Sequence, residues 1–144
     1  MKNAKKILTV AAFLIMPLVL SACSTPAPVS IGGISAPPDV EEFTKGSLVK
    51  GFPANLPLYP GATVVESYSN KDAFGASFTT SDDFSKVVAF YNKLPQLGWD
   101  SQLKQVSATN YAYDIKGGTL AGTIIVNTAA DGKTTAITIA VANR

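Results

Sequence analysis

From Thr63 to Ala142 the chain reads as strands, with one exception. In 84–94 the apolar residues Phe84, Val87, Val88, Tyr91 and Leu94 recur at three- and four-residue steps. Such a 3.6-residue period is one apolar face of a helix, whereas apolar residues at every second position mark a half-buried strand. The strand segments are TVVESYS (63–69), FGASFTT (74–80), SQLKQV (101–106), YAYDIK (111–116), TLAGTIIVNT (119–128) and TTAITIAVA (134–142). Turn signals separate them: Tyr59-Pro60-Gly61-Ala62 before the first, Asn70-Lys71-Asp72 in a loop of about four residues, Gly117-Gly118, and Asp131-Gly132. The order β-β-α-β-β-β-β predicts an α+β fold of two layers, an antiparallel sheet of about five or six strands with one main helix on one face. The large apolar residues are expected to meet the helix. Ala112, Thr123, Ala136, Thr138 and Ala140 are expected on the second face.

Ser81 is placed to cap the helix, with Asp82 and Asp83 in its first turn, where the dipole favours anions. Pro95 removes a helical hydrogen bond and is expected to end or kink the helix. Gly98 then serves as a left-handed terminator, with Trp99 folding back onto the helix end or the sheet rim.

The only cysteine is Cys23, and there is no histidine. Without a disulfide, a domain of this size must stand on its apolar core. Without histidine, the commonest general base, the Ser-His and Cys-His pairs and the usual zinc sites are missing.

Cys23 sits at the end of a leader. Lys2, Lys5 and Lys6 precede an uncharged apolar run, Ile7 to Leu20. A basic start, a short apolar run and small residues are the parts of an export signal. The run is short for a membrane span, which needs about 20 residues. Leu20-Ser21-Ala22-Cys23 matches at every position the lipobox of bacterial lipoproteins, which it resembles. That resemblance implies cleavage between Ala22 and Cys23 and acylation of the Cys23 thiol. Two or three acyl chains make a lasting anchor where one holds only reversibly. Ser24, not aspartate, implies outer-membrane sorting in a bacterium with two membranes; in a bacterium with one membrane it implies nothing, and the anchor is expected at the outer face of the plasma membrane.

All the acidic residues lie after position 38, so the chain beyond the cut carries a net charge near zero. The lysines left are scattered, which speaks against nucleic acid as a partner. Residues 23–57 hold Pro26, Pro28, Pro37, Pro38, Pro53 and Pro57 with Gly32 and Gly33, and read as a lipidated N-terminus and tether. Within it, 39–48 reads as a helical turn or two or as a charged loop. The domains are then the signal peptide 1–22, the tether 23–57 and one α+β domain 58–144.

A second resemblance covers the first half of that domain. Leu56-Pro57, Tyr59-Pro60-Gly61-Ala62, Phe78-Thr79-Thr80-Ser81, Val88-Ala89-Phe90-Tyr91 and Gly98-Trp99 look like a type of small bacterial envelope domain with no agreed activity. It implies a fold and a location and no reaction. Pro95 departs from the pattern, since such helices run unbroken to the Gly-Trp pair.

No catalytic motif holds up. Ser47-Leu48-Val49-Lys50 matches S-x-x-K, but the S-D-N and K-T-G companions of that chemistry are missing. No metal site or cofactor is expected. Phe90 lies off the helical stripe and, with Trp99, Tyr111 and Tyr113, forms the candidate binding surface; aromatic residues in a small domain otherwise build its core. The expectation is a non-enzymatic, membrane-anchored lipoprotein of the cell envelope that binds or assembles with a protein partner. The alternatives are a carrier of a lipid or apolar small molecule, with room left by Gly75, Ala76, Gly122 and Ala140, and a cell-wall hydrolase.

Overall fold

A computed structural model describes residues 39–144, and before them only the backbone of a small ladder, β1 (Ser30–Ile31) with β2 (Ile34–Ser35). The signal peptide, Cys23 and most of the tether lie outside the described residues. The main sheet consists of β3 (Glu42–Lys45), β4 (Thr63–Asn70), β5 (Ala73–Thr80), β6 (Asp100–Ser107), β7 (Asn110–Gly117), β8 (Leu120–Thr128) and β9 (Thr135–Asn143). One helix, α1 (Phe84–Tyr91), and a 3₁₀ turn, Leu94–Leu97, link β5 to β6. The two-layer sheet-and-helix expectation holds, with seven strands in the main sheet where five or six were expected.

The spatial order is β3-β4-β5-β9-β8-β7-β6, and every pairing is antiparallel. Two meanders, β3-β4-β5 and β6-β7-β8, are joined by the last strand. Hairpin turns fall where turn chemistry places them. Gly61 takes φ 77° with the Ala62 N–H donating to the Tyr59 carbonyl at 3.2 Å. The β7–β8 turn is Gly118-Thr119, one residue beyond the expected pair, with Gly118 at φ 57°. The β4–β5 loop shrinks to Lys71-Asp72, because Asn70 and Ala73 already pair. In the β8–β9 loop the Asp131 carboxylate accepts from the N–H groups of Lys133 and Thr134.

The additional strand corrects the reading of 39–48 as helical or looped. β3 pairs with β4 from Glu42↔Ser69 to Lys45↔Glu66. Buried Ser67 holds the segment after β3: its hydroxyl donates to the Ser47 carbonyl at 2.9 Å and accepts from the Val49 N–H at 2.8 Å. Val49 is buried and Leu56 is in the core. Residues 42–57, which the proline-rich pattern places in the tether, therefore pack with the sheet.

This segment also resolves how one short helix covers so wide a sheet. Paired antiparallel residues share a face, so Ile137, Ile139 and Val141 lie on the same side as Phe78, Ala76 and Phe74 and as Val126, Ile124 and Gly122. Val87, Val88 and Tyr91 of α1, with Leu94, cover this side above β8 and β7. Leu48, Phe52, Leu56 and Leu58 join the same core, and Phe52 meets Phe74 edge-on at 6.1 Å. Ala112, Thr123, Ala136, Thr138 and Ala140 share the opposite face, as expected. On that face Tyr68, Ser77 and Thr138 are buried.

The helix begins two residues later than the sequence suggests. Asp83 is the N-cap residue, with φ −58° and ψ 144°, and makes no side-chain cap bond. Residue 82 is held out of the helix by one tertiary and one local contact: its carbonyl accepts from Thr135 Oγ1 at 2.8 Å and its N–H donates to Thr80 Oγ1 at 3.2 Å. The helix stops at Tyr91, before Pro95. Pro95 instead sits in the first turn of the 3₁₀ segment, where its missing N–H costs nothing. Gly98, at φ 83°, ends that segment as expected.

The central core position Ile139 has no exposed surface. Ile139→Ala is expected to lower the unfolding free energy by about 2–5 kcal/mol through lost burial and a residual cavity. Urea unfolding followed by the fluorescence of the single tryptophan, Trp99, measures it; an unchanged midpoint would mean that β9 is not the core strand.

Candidate functional site

The four aromatics expected to form one surface do not do so. Trp99 and Tyr113 are core residues, at 6% and 1% exposure. Trp99 lies flat against Gly117, so that a Cβ there would come within 2.6 Å of its ring. Tyr113 is fixed from above, its hydroxyl donating to Asn92 Oδ1 at 3.1 Å, and burial pushes its phenol up to about 12. Tyr111 is half-buried edge-on against Phe84 at 5.3 Å. Phe90 lines a surface hollow. The reason is periodicity across the sheet: Tyr111 and Tyr113 share the face beneath the helix, and Trp99 comes directly after the turn that closes it.

Phe90 instead joins residues that sequence reasoning treated singly. Its ring meets Tyr59 edge-on at 5.3 Å and Tyr91 at 5.1 Å. The Tyr59 hydroxyl donates to Asp82 Oδ2 at 2.9 Å, and Lys86 Nζ donates to Asp82 Oδ1 at 3.1 Å. With Pro60, Ala89 and Lys93 these side chains line an open hollow of about 460 Å³. The hydrogen bonds from Tyr59 and then Lys86 hold the Asp82 carboxyl below the usual carboxylate range. Desolvation and the Asp82 carboxylate raise the Tyr59 phenol, and Asp82 raises the Lys86 ammonium. Beneath lies Tyr91, fully buried, its hydroxyl near the Tyr59 backbone without a well-formed hydrogen bond among the described residues. The hollow thus offers an aromatic ring, a phenol, an ion pair and a second cation, Lys93, which forms no ion pair among the described residues. That set can hydrogen-bond and stack on a ligand.

One part of this cluster was legible in the sequence. Asp82 and Lys86 stand at the i, i+4 spacing of a helical ion pair. The Tyr59 contact was not, because Tyr59 and Asp82 read as turn and cap residues with a whole hairpin between them.

Besides a hollow of about 660 Å³ among Asp39, Val40, Glu41, Asn70 and Lys71, two further hollows border the sheet. One, of about 490 Å³, lies at the β6 edge among Pro95, Asp100, Ser101, Gln102, Asp114 and Lys116. The other, a groove of about 230 Å³, runs over small residues of β5, β8 and β9, among them Ala73, Ala121, Ala140 and Ala142, with Tyr68 beside it. The four residues expected to leave room between helix and sheet do not share a layer. Ala76 and Gly122 face the core, and Gly75 and Ala140 face away. Neither glycine is open space: the Tyr68 ring fills the position over Gly75 at 2.2 Å, and the Ala140 carbonyl stands 2.0 Å from where a Gly122 Cβ would be. Among the described residues no three carboxylates or other ligating side chains converge on a metal position. Ala22 and Cys23 lie outside the described residues.

No protein-family model, curated protein or solved structure matches this chain.

The Tyr59–Asp82–Lys86 contacts carry a pH signature. A depressed carboxyl stabilises the fold fully above its unfolded value, near 3.9, and that contribution is lost as pH falls through the lower folded value. Lys86, raised, contributes below its unfolded value and loses that contribution as pH rises through the folded one. Asp82→Asn is therefore expected to reduce stability at pH 6, with the difference from wild type shrinking progressively as pH falls below about 4. Urea midpoints across that range test this; a difference independent of pH would show that the carboxylate charge contributes nothing.

Proposed function

We propose that this chain is a lipid-anchored protein of a bacterial cell envelope whose domain binds another macromolecule and catalyses no reaction. The observation that carries the reading is Leu20-Ser21-Ala22-Cys23 behind a basic and apolar leader. Anchoring by acyl chains leaves the domain in water beside the membrane, and a proline-rich segment between Cys23 and Asp39 sets its reach. Support for binding comes from the surface. The hollows at Phe90 and at the β6 edge are open and carry charged side chains, and the β6 edge is long and exposed. Exposed sheet edges are common sites for protein contact, because a partner strand can add to them.

The carrier reading finds less support. Ligand cavities commonly measure about 300–1,000 Å³ and enclose most of the ligand, whereas the apolar groove here is about 230 Å³ and open. The layer between helix and sheet is filled by Tyr91, Tyr113, Leu94 and Ile124.

Mass spectrometry of the protein from a membrane fraction is the direct test. The expected result is a mature chain beginning at Cys23 with the added mass of two or three acyl chains, and an uncut, unacylated precursor from Cys23→Ser. A free Cys23 thiol on a chain that retains its leader would remove the proposal.

A further inference from the structure

The sheet ends in two edge strands that are finished differently. β3 is four residues long, and Glu42 is tied to the Lys50 N–H. β6 is eight residues long, pairs only with β7 among the described residues, and exposes nearly all its side chains, with Leu103 at 48% and Val106 at 65%. Edges are ordinarily blunted by shortness, by bulges or by lysines standing off them. β3 has the first of these. On β6 the bulge lies between Gln105 and Ser107, so Asp100–Gln105 stays regular. Its one lysine does not guard it, because Lys104 is drawn back over β7 into an ion pair with Asp114. At the other end of the regular stretch, Asp100 is exposed and has no ion pair or side-chain hydrogen bond among the described residues.

We propose that β6 pairs antiparallel with β6 of a second copy of this chain, about a two-fold axis through Gln102. In such an isologous pairing residue i faces the partner's j and j faces the partner's i. Centred on Gln102, Asp100 faces the partner's Lys104, Lys104 faces the partner's Asp100, and Ser101 faces the partner's Leu103. Asp100, Gln102 and Lys104 share one face, since they pair with Lys116, Asp114 and Ala112. The charges therefore meet on one side of the joined sheet, where the Lys104 ammonium, with three donors, bridges its own Asp114 and the partner's Asp100. The neighbouring registers lose this match: centred on Leu103, Asp100 faces the partner's Val106, and centred on Ser101 it faces the partner's Gln102. The hollow beside the edge contains two carboxylates, Asp100 and Asp114, and one lysine, Lys116. The partner's Lys104 brings a second cation to its rim. An interface this short is weak in free solution. Confinement of both copies to one membrane raises their effective concentration. That last step rests on the proposed anchoring; the pairing itself does not.

The test uses the full-length chain extracted in mild detergent. Directly facing residues have Cβ atoms about 4.5–5.5 Å apart, near the span of a disulfide. Gln102→Cys is expected to give a disulfide-linked dimer under mild oxidation, while Lys45→Cys on the other edge stays monomeric. Wild type, with Cys23 acylated, gives no link. A wild-type link would count against the anchoring and not against the pairing, which is then read in the Cys23→Ser/Gln102→Cys chain. Asp100→Lys sets lysine against lysine at both ends of the seam. It is expected to weaken dimerisation in sedimentation about tenfold, with the far-ultraviolet circular dichroism unchanged. A folded Gln102→Cys chain that stays monomeric, equal linking at positions 102 and 45, or a linked product containing a different protein would overturn the proposal.

Discussion

The insertion of β9 between β5 and β8 is the interaction on which the rest of the domain depends. It pairs along its whole length on both sides, from Ala73↔Ala142 to Thr80↔Thr135 and from Leu120↔Asn143 to Thr128↔Thr135. Its inward residues Ile137, Ile139 and Val141 form the centre of the core. Without it the two meanders share no hydrogen-bonded ladder. Its ends also set neighbouring geometry. Thr135 holds the Asp82 carbonyl and so fixes where α1 begins, while the Asn143 N–H bonds the Asp72 carbonyl in the β4–β5 turn. The last strand of the chain closes the middle of the sheet, a non-local pairing whose loop-closure cost must be met before it is repaid.

Above this sheet the aromatic residues form a connected series. Phe90 touches Tyr59 and Tyr91, and Tyr91 lies 5.9 Å from Tyr113, which reaches back to the end of α1. Several residues of the Tyr-Pro-Gly-Ala, Phe-Tyr and Gly-Trp pattern meet here or nearby in the core. Packing accounts for Tyr91 and Trp99 without any ligand. What packing does not account for is the rim of charge around Phe90, where Asp82, Lys86 and Lys93 remain partly or fully in water.

Six strands and the helix were legible because each carries its own period and its own turn chemistry. β3 was not. Glu-Phe-Thr-Lys is too short to show alternation, and the acids before it suit a helix start equally well. Only Ser67 and the backbone of β4 decide for a strand. The same limit applies to the candidate surface. Phe90 was rightly separated from the helical stripe by its position, but whether Trp99, Tyr111 and Tyr113 are walls or core depends on what lies across from them. Residue 82 is a further instance: its local sequence suits a helix's first turn, and a threonine from β9 holds it outside.

The sequence by itself determined, β3 apart, near which residues the chain turns and which segments are extended or helical. It also contains the whole pattern on which the lipid-anchoring proposal stands. Backbone preferences and peptide signals of this kind are encoded within a few neighbouring residues. Strand order, the long exposed edge at β6, the burial of Trp99 and Tyr113, and the meeting of Tyr59 with Asp82 were decided only by tertiary structure. Burial and pairing belong to the atoms that surround a residue, and most of those atoms come from distant parts of the chain.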